Sequence, residues 1–328
     1  MLRLMLEILG FVGLFLLSAG IVVRSGLVLA QAGDVVAEKT GLGRLFVGTI
    51  FLAIATSLPE LVTNISAVRL GAPNLAAGNI LGANMINIVV LASLTSLFSP
   101  AIAPLSLDQR ILGFSALILT GLAILNIVYP FEVGFLGLAT LFIIVIYLAS
   151  MYLIYRTREG GKGKEKEETT MPLKKAWILM GLAALGIILG APALAFSADR
   201  LSELLGISGT FIGVLAVALV TTMPETSVTL GSLRLGAEEM AMGNVYGSCA
   251  FNVFILALAD LAYPKNLYAA LGRAEILAGI GALVLMTLGL FFLKLGSEKR
   301  TWASRGLAFL ILAGWVTALF FVFTAQAP

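Results

Sequence analysis

Residues 56–60 read Thr-Ser-Leu-Pro-Glu, and residues 221–225 read Thr-Thr-Met-Pro-Glu. The interval of 165 residues holds well beyond this motif. Residues 69–72, Arg-Leu-Gly-Ala, recur unchanged at 234–237, and GNILGANMIN (78–87) meets GNVYGSCAFN (243–252). Upstream, Asp34, Glu38, Gly41, Phe46 and Gly48 meet Asp199, Glu203, Gly206, Phe211 and Gly213. Between residues 33 and 90, 18 of 58 positions match the residue 165 further on, without a gap. Two apolar stretches share Ala, Gly and Leu by composition alone, but composition does not place Pro-Glu and Gly-Asn pairs in register. The chain is a repeat of itself.

The 328 residues are 59% hydrophobic and 12% charged, with a mean hydropathy of +1.04. Soluble domains carry about 25% charged residues, so a water-soluble enzyme or nucleic-acid binder is excluded. The net charge of +3 is small, and the basic residues gather in loops. One cysteine permits no internal disulfide, and the absence of histidine excludes histidine-ligated haem and Ser-His-Asp triads. Carboxylates, amides, hydroxyls and backbone are left to do the chemistry, with no cofactor implied.

About 20 apolar residues cross a bilayer as a helix. Ten such runs are present, at 4–30, 42–68, 75–98, 107–128, 131–155, 173–195, 208–233, 240–262, 267–295 and 302–324. One polar stretch, residues 156–175, divides them five and five; it holds seven basic and four acidic residues and three glycines. The chain therefore divides into a first repeat (1–155), a charged linker (156–172) and a second repeat (173–328). Five spans is an odd number, so the second copy enters the membrane from the opposite side. The expected fold is an all-α membrane protein of ten transmembrane helices, built as two inverted-topology repeats with broken helices at the midplane. That is an architecture of secondary transporters. A cytoplasmic linker puts fifteen lysines and arginines inside and five outside, as the positive-inside rule requires. Both termini then lie outside.

Of 18 acidic residues, only Glu60 and Glu225 lie deep within apolar spans. A charge at the bilayer centre costs at least about 2.5–3.5 kcal/mol on insertion scales, which marks both as functional candidates. No basic residue stands near them in sequence, so a bound cation or protons must balance them. Pro59 and Pro224 lack a backbone N–H, freeing carbonyls at Ala55 and Val220 and predicting helix breaks. Thr56 shares a helical face with Glu60, as Thr221 does with Glu225. Ser57 and Thr222 add neighbouring hydroxyls, and the following spans offer Asn87, Asn252 and Ser248. An all-oxygen set of this kind suits hard cations such as Ca2+. Cys249 reads as a small hydrophobe, and the Gly78/Gly82 and Gly243/Gly247 pairs as close-packing motifs. Asn79 and Asn244 fit either ligands or loop-bracing residues, and Asp260 and Glu275, near span ends, read as solvated.

These motifs resemble the cation/Ca2+ exchanger superfamily, and within it the prokaryotic sodium/calcium exchangers. The likeness rests on TSLPE and TTMPE, each followed by GN-x-x-G-x-x-x-x-N, on ten spans and on the central linker. It implies exchange of Na+ for Ca2+ by alternating access, with two peripheral helices sliding past a core of eight. It carries the ligand set onto Glu60 and Glu225, onto the backbone or hydroxyls of Ala53, Thr56, Ser57, Ala218, Thr221, Thr222 and Ser248, and onto the Asn87/Asn252 pair. Many members have aspartate where Asn252 stands and serine where Ala83 stands, so one potential charge and one hydroxyl are missing here.

The leading expectation is a Na+/Ca2+ antiporter of the cell membrane, working as a monomer in the lipid bilayer. A H+/Ca2+ antiporter, or exchange of another cation, is the alternative. A channel fits poorly because two inverted copies enclose one site. An intramembrane protease fits worse, because no nucleophile stands beside the acids.

Overall fold

The computed structural model describes residues 2–99, 104–133, 136–157, 170–205, 219–295 and 302–326. In chain order the elements are α1 (Leu2–Thr40), α2 (Arg44–Val47), a π-helical turn (Gly48–Leu52), α3 (Ala53–Arg69), α4 (Pro73–Phe98) and α5 (Leu107–Val128). A small hairpin, β1 (Glu132–Val133) and β2 (Leu136–Gly137), precedes α6 (Leu138–Thr157). Then come α7 (Leu173–Leu204), α8 (Met223–Arg234), α9 (Glu238–Ala262), a 3-10 turn (Tyr268–Ala270), α10 (Arg273–Leu295) and α11 (Trp302–Gln326). Among the described residues nine helical stretches are long and apolar enough to cross a membrane, the stretch Arg44–Arg69 counting as one. The expected span 208–233 begins outside the described residues, and α8 is most of its described remainder.

Helix α9 is the axis of the molecule. Nineteen of its 25 residues are buried, and it packs on α2, α3, α4, α5, α6 and α8. Lipid is as apolar as leucine, so helices in a bilayer associate through close fit rather than hydrophobic transfer. The glycines supply that fit. A Cβ on Gly243 would stand 2.5 Å from the Leu45 carbonyl oxygen and 3.0 Å from the Thr49 nitrogen. A Cβ on Gly48 would stand 2.5 Å from the Met240 carbonyl oxygen. Backbone therefore touches backbone where the π-turn crosses α9. Gly247 does the same against Thr49 and Ala53.

Helices α1 and α7 form a second layer at the periphery. They pack along each other, and α1 also lies on α8. Their outer faces, with Leu9, Leu16 and Leu17 on α1 and Leu182, Leu185 and Leu189 on α7, are exposed. The 39 residues of α1 reach about 58 Å at 1.5 Å per residue, well past the expected 4–30. The helix runs on until Gly41 and Gly43, at φ 68° and 83°, turn the chain into α2.

The two RLGA segments fold alike. Gly71 (φ 79°) and Gly236 (φ 64°) hold the left-handed position that ends α3 and α8. The Ala72 and Ala237 N–H groups donate to the Ala67 and Ser232 carbonyls, each at 2.9 Å.

Two local expectations are corrected. Helix α3 runs through Pro59 unbroken. Proline removes one helical hydrogen bond, but the buried faces of Ala55, Thr56 and Ser57 keep the helix in place. The irregular backbone lies earlier, in the π-turn. In the second half Pro224 instead occupies the first turn of α8, after Thr222 at φ −89°, ψ 10°. The segment expected to open a span at 131 forms the hairpin, and α6 starts at Leu138.

Asp260 and Glu275 are not solvated; they are 0% and 4% exposed. Asp260 accepts hydrogen bonds from the Gly137 N–H (2.9 Å), the Thr140 hydroxyl (2.6 Å) and the Leu267 N–H (2.7 Å). It thus ties the hairpin and the 3-10 turn to the end of α9. Glu275 caps the Gly272 N–H at 2.8 Å.

Two stability outcomes follow. Gly243→Ala forces backbone apart and should cost about 1–3 kcal/mol, whereas Gly181→Ala, with nothing within 4 Å, should leave the melting temperature in detergent unchanged. Asp260→Asn turns an amide NH2 against N–H donors and should cost about 1–3 kcal/mol without altering ion affinity, as thermal melting with and without cation would report.

Candidate ion-binding site

Helix α3 carries Thr56, Ser57 and Glu60, helix α8 carries Glu225 in its first turn, and α4 and α9 carry Asn87, Ser248 and Asn252. All are buried: Glu60 is 8% exposed and Glu225 2%. Contacts cross between the halves. The Ser57 hydroxyl donates to Glu225 Oε1 at 3.4 Å, and the Thr56 and Ser248 hydroxyls lie 3.4 Å apart. Thr56 also donates to the Ala53 carbonyl at 3.1 Å, and Thr222 to that of Leu219 at 3.1 Å. The structure therefore brings Thr56, Ser57, Ser248 and Glu225 into direct contact, with Ala53 adjoining. Thr221 is half-buried just before α8. Ala218 lies outside the described residues.

The polar atoms left over share one property. Glu60 Oε2, Glu225 Oε2, Asn87 Oδ1, Asn244 Oδ1 and Asn252 Oδ1 are buried and accept no hydrogen bond among the described residues. Every one is an acceptor. Buried oxygens normally have donors, and a buried carboxylate is normally paired. The ion pairs seen among the described residues, Arg44–Asp34 and Arg200–Glu203, lie elsewhere. No third acidic, cysteine or histidine side chain joins the two glutamates among the described residues. The two glutamates therefore bring at most two negative charges to the set.

Three polar positions that the sequence did not mark out support these groups. Asn64, one turn after Glu60, donates to the Glu60 carbonyl at 2.7 Å and accepts from Asn79 at 3.3 Å. In the second half Asn244 donates to the Glu225 carbonyl at 3.3 Å and to the hydroxyl of Thr229 at 3.1 Å. Asn79 and Asn244 thus brace the helices that carry the carboxylates. The third position is Asn84, whose amide lies between Cys249 and Asn252. A polar residue one turn beyond each glutamate was the available signal for Asn64 and Thr229. Cys249 is buried, its thiol 3.8 Å from the Asn84 carbonyl, as a small packing residue.

A family model described as sodium/calcium exchanger protein matches residues 10–157 and again 175–324. The chain belongs to the sodium/calcium exchanger protein family. It is 26% identical over 350 residues to the sodium/calcium exchanger MaX1 of Methanosarcina acetivorans, covering 94% of this chain and 98% of that one. It is equally 26% identical over 309 residues to the inner membrane protein YrbG of Escherichia coli, covering 91% and 92%. A solved structure of the sodium-calcium exchanger NCX_Mj superposes with a TM-score of 0.75 at 21% identity, over 98% of this chain and 99% of that one. The exchanger fold is shared along the whole length.

A cation that fills this acceptor set stabilises the folded state. Saturating Ca2+ should raise the melting temperature in detergent, by about 2.7 kcal/mol of stability at a hundred times Kd. Glu225→Gln should abolish most of that gain.

Proposed function

We propose that this exchanger-family protein is a secondary antiporter that moves Ca2+ against Na+ by alternating access. One observation carries the reading: α3, α4, α8 and α9 each carry a buried acceptor oxygen that meets no donor among the described residues. A positively charged species completes such a set, and oxygen ligands suit hard cations. Ca2+ takes six to eight oxygens at about 2.3–2.6 Å in flexible geometry, which suits ligands drawn from several helices. Glu60 and Glu225 are the principal ligands. Thr56, Ser57, Thr221, Thr222, Ser248, Asn87 and Asn252 supply side-chain oxygens, and Ala53 and Ala218 supply carbonyls. Two carboxylates are neutralised by one Ca2+ or by two monovalent ions, so the two cargoes compete for the same atoms. An empty pair of carboxylates is too costly to occlude in a low-dielectric core, so the site crosses only when filled. A gradient drives this cycle, and it needs no cofactor.

The inverted repeat of five spans over 1–155 and 173–328 has three supports: the matching turns at Gly71 and Gly236, the matching braces of Asn79 and Asn244, and a family match in each half. The linker 156–172 is placed in the cytoplasm and the termini outside. Function as a monomer belongs to the same proposal. Proton coupling is the second reading, since a proton on either glutamate also supplies the missing positive charge.

Ca2+ uptake into proteoliposomes separates the two. An outward Na+ gradient should drive uptake, an outward proton gradient alone should not, and Glu60→Gln or Glu225→Gln should reduce the rate at least a hundredfold. Uptake driven by protons alone assigns the protein to H+/Ca2+ exchange.

A further inference from the structure

Asn252 sits four residues after Ser248 on the buried face of α9, and its side chain has two unlike ends. Only the oxygen helps a cation; the NH2 would repel it. Which end faces the ions is set by what holds the other. Asn252 Nδ2 donates to Asn84 Oδ1 at 2.9 Å, and Asn84 Nδ2 donates to the Cys249 backbone carbonyl at 3.1 Å.

The direction of this chain has an unambiguous anchor. An amide alone can be placed either way round, but a backbone carbonyl only accepts. The Cys249 carbonyl therefore takes the NH2 of Asn84. That turns the Asn84 oxygen towards Asn252, which must answer with its own NH2. The Asn252 oxygen is left over, buried and without a donor among the described residues. Asn84 itself is 0% exposed and has both amide ends engaged.

We propose that Asn84 is a positioning residue that holds Asn252 with its carbonyl oxygen towards the ions, a role that rests on the exchanger reading of the site. The neutral amide at 252 then serves as a one-way oxygen ligand. Loss of Asn84 frees Asn252 to rotate, and the fraction of sites presenting NH2 binds cation poorly. Affinity falls while the moving parts are untouched.

The test is Ca2+ uptake into proteoliposomes by wild type, N84L, N252L and N84L/N252L, read as KM and maximal rate. N84L should raise KM for Ca2+ about tenfold with the maximal rate within twofold, as a loss confined to uniform ion binding does. In the N252L background the same change should move KM less than twofold, because Asn84 acts through Asn252. A conservative variant, N84D, keeps an acceptor for the Asn252 NH2 and should stay within threefold of wild type or bind more tightly. Asn84→Ser, too short to reach either partner, takes the place of N84L if the leucine variant does not fold. The proposal is overturned if N84L leaves KM within twofold, if it raises KM equally in both backgrounds, or if N84D is as impaired as N84L. Wild type that takes up no Ca2+ under any gradient counts against the exchanger reading alone. The same variants are then compared by the Na+ or Ca2+ concentration that half-maximally raises the melting temperature, with the same expected ordering. Wild type protected by neither ion overturns both.

Discussion

Two buried carboxylates, each with one oxygen that meets no donor among the described residues, are the constraint on which the rest of this structure depends. A purely structural pair of acids would be expected to recruit an arginine, a lysine or a set of N–H groups, as Asp260 does with Gly137, Thr140 and Leu267. Glu60 and Glu225 recruit no such set: their described donors are hydroxyls of α3, with Ser57 at the long end of the range. The contrast between Asp260, with three short bonds, and the two glutamates separates a tether from a site with exchangeable occupants. Such a site can exist only if the surrounding helices are held by other means. The glycine contacts of α9 with the π-turn and the Asn79 and Asn244 braces supply that support on the backbone side. One oxygen of each carboxylate is left without a donor among the described residues.

The repeat explains why so few residue types suffice. Position 84 in the first half corresponds to 249 in the second, and 87 corresponds to 252. Asn84 touches both Cys249 and Asn252, so residues related by the repeat meet one another near the middle of the bundle. Under the proposed inverted repeat, contacts of that kind would follow from an approximate two-fold axis between α4 and α9. The remaining site residues then fall into place around those two helices, with α3 and α8 bringing the acids.

The acids, the hydroxyl-bearing motifs and the all-helical membrane architecture were legible because lipid makes polarity conspicuous: a glutamate within an apolar run has few innocent explanations. Neutral polar residues gave no such contrast. Asn64, Thr229 and Asn84 are individually affordable within a helix, and their roles depend on partners 15 to 168 residues away. Asp260 was misread for the same reason. Its donors Gly137 and Thr140 lie more than a hundred residues upstream, so its position near a span end suggested water where the fold supplies a hairpin. Pro59 shows a different limit. A proline states which hydrogen bond is missing, but only the packing around it decides whether the helix breaks there, and in α3 it does not. The backbone irregularity went instead to Gly48–Leu52, where two glycine-lined backbones must touch.

The two halves are alike without being equal, and the differences fall in the site. Thr56 faces the Ser248 hydroxyl, but the corresponding pair in the other half is Thr221 with Ala83, which has no hydroxyl to offer. The glutamate of α3 is followed by an asparagine brace at 64, that of α8 by a threonine at 229. Asn252 is oriented by an amide at 84, whereas the matching position for Asn87 is a cysteine. In a transporter made of two identical inverted halves, the outward- and inward-facing states would be mirror images of equal energy, and ions would meet the same affinity on both sides. Each of these substitutions breaks that degeneracy locally, because a ligand shifts an equilibrium only through unequal affinity for the two states. The departures from internal symmetry at positions 83, 84 and 64 are therefore where unequal affinity on the two sides of the membrane would be built into the proposed exchange.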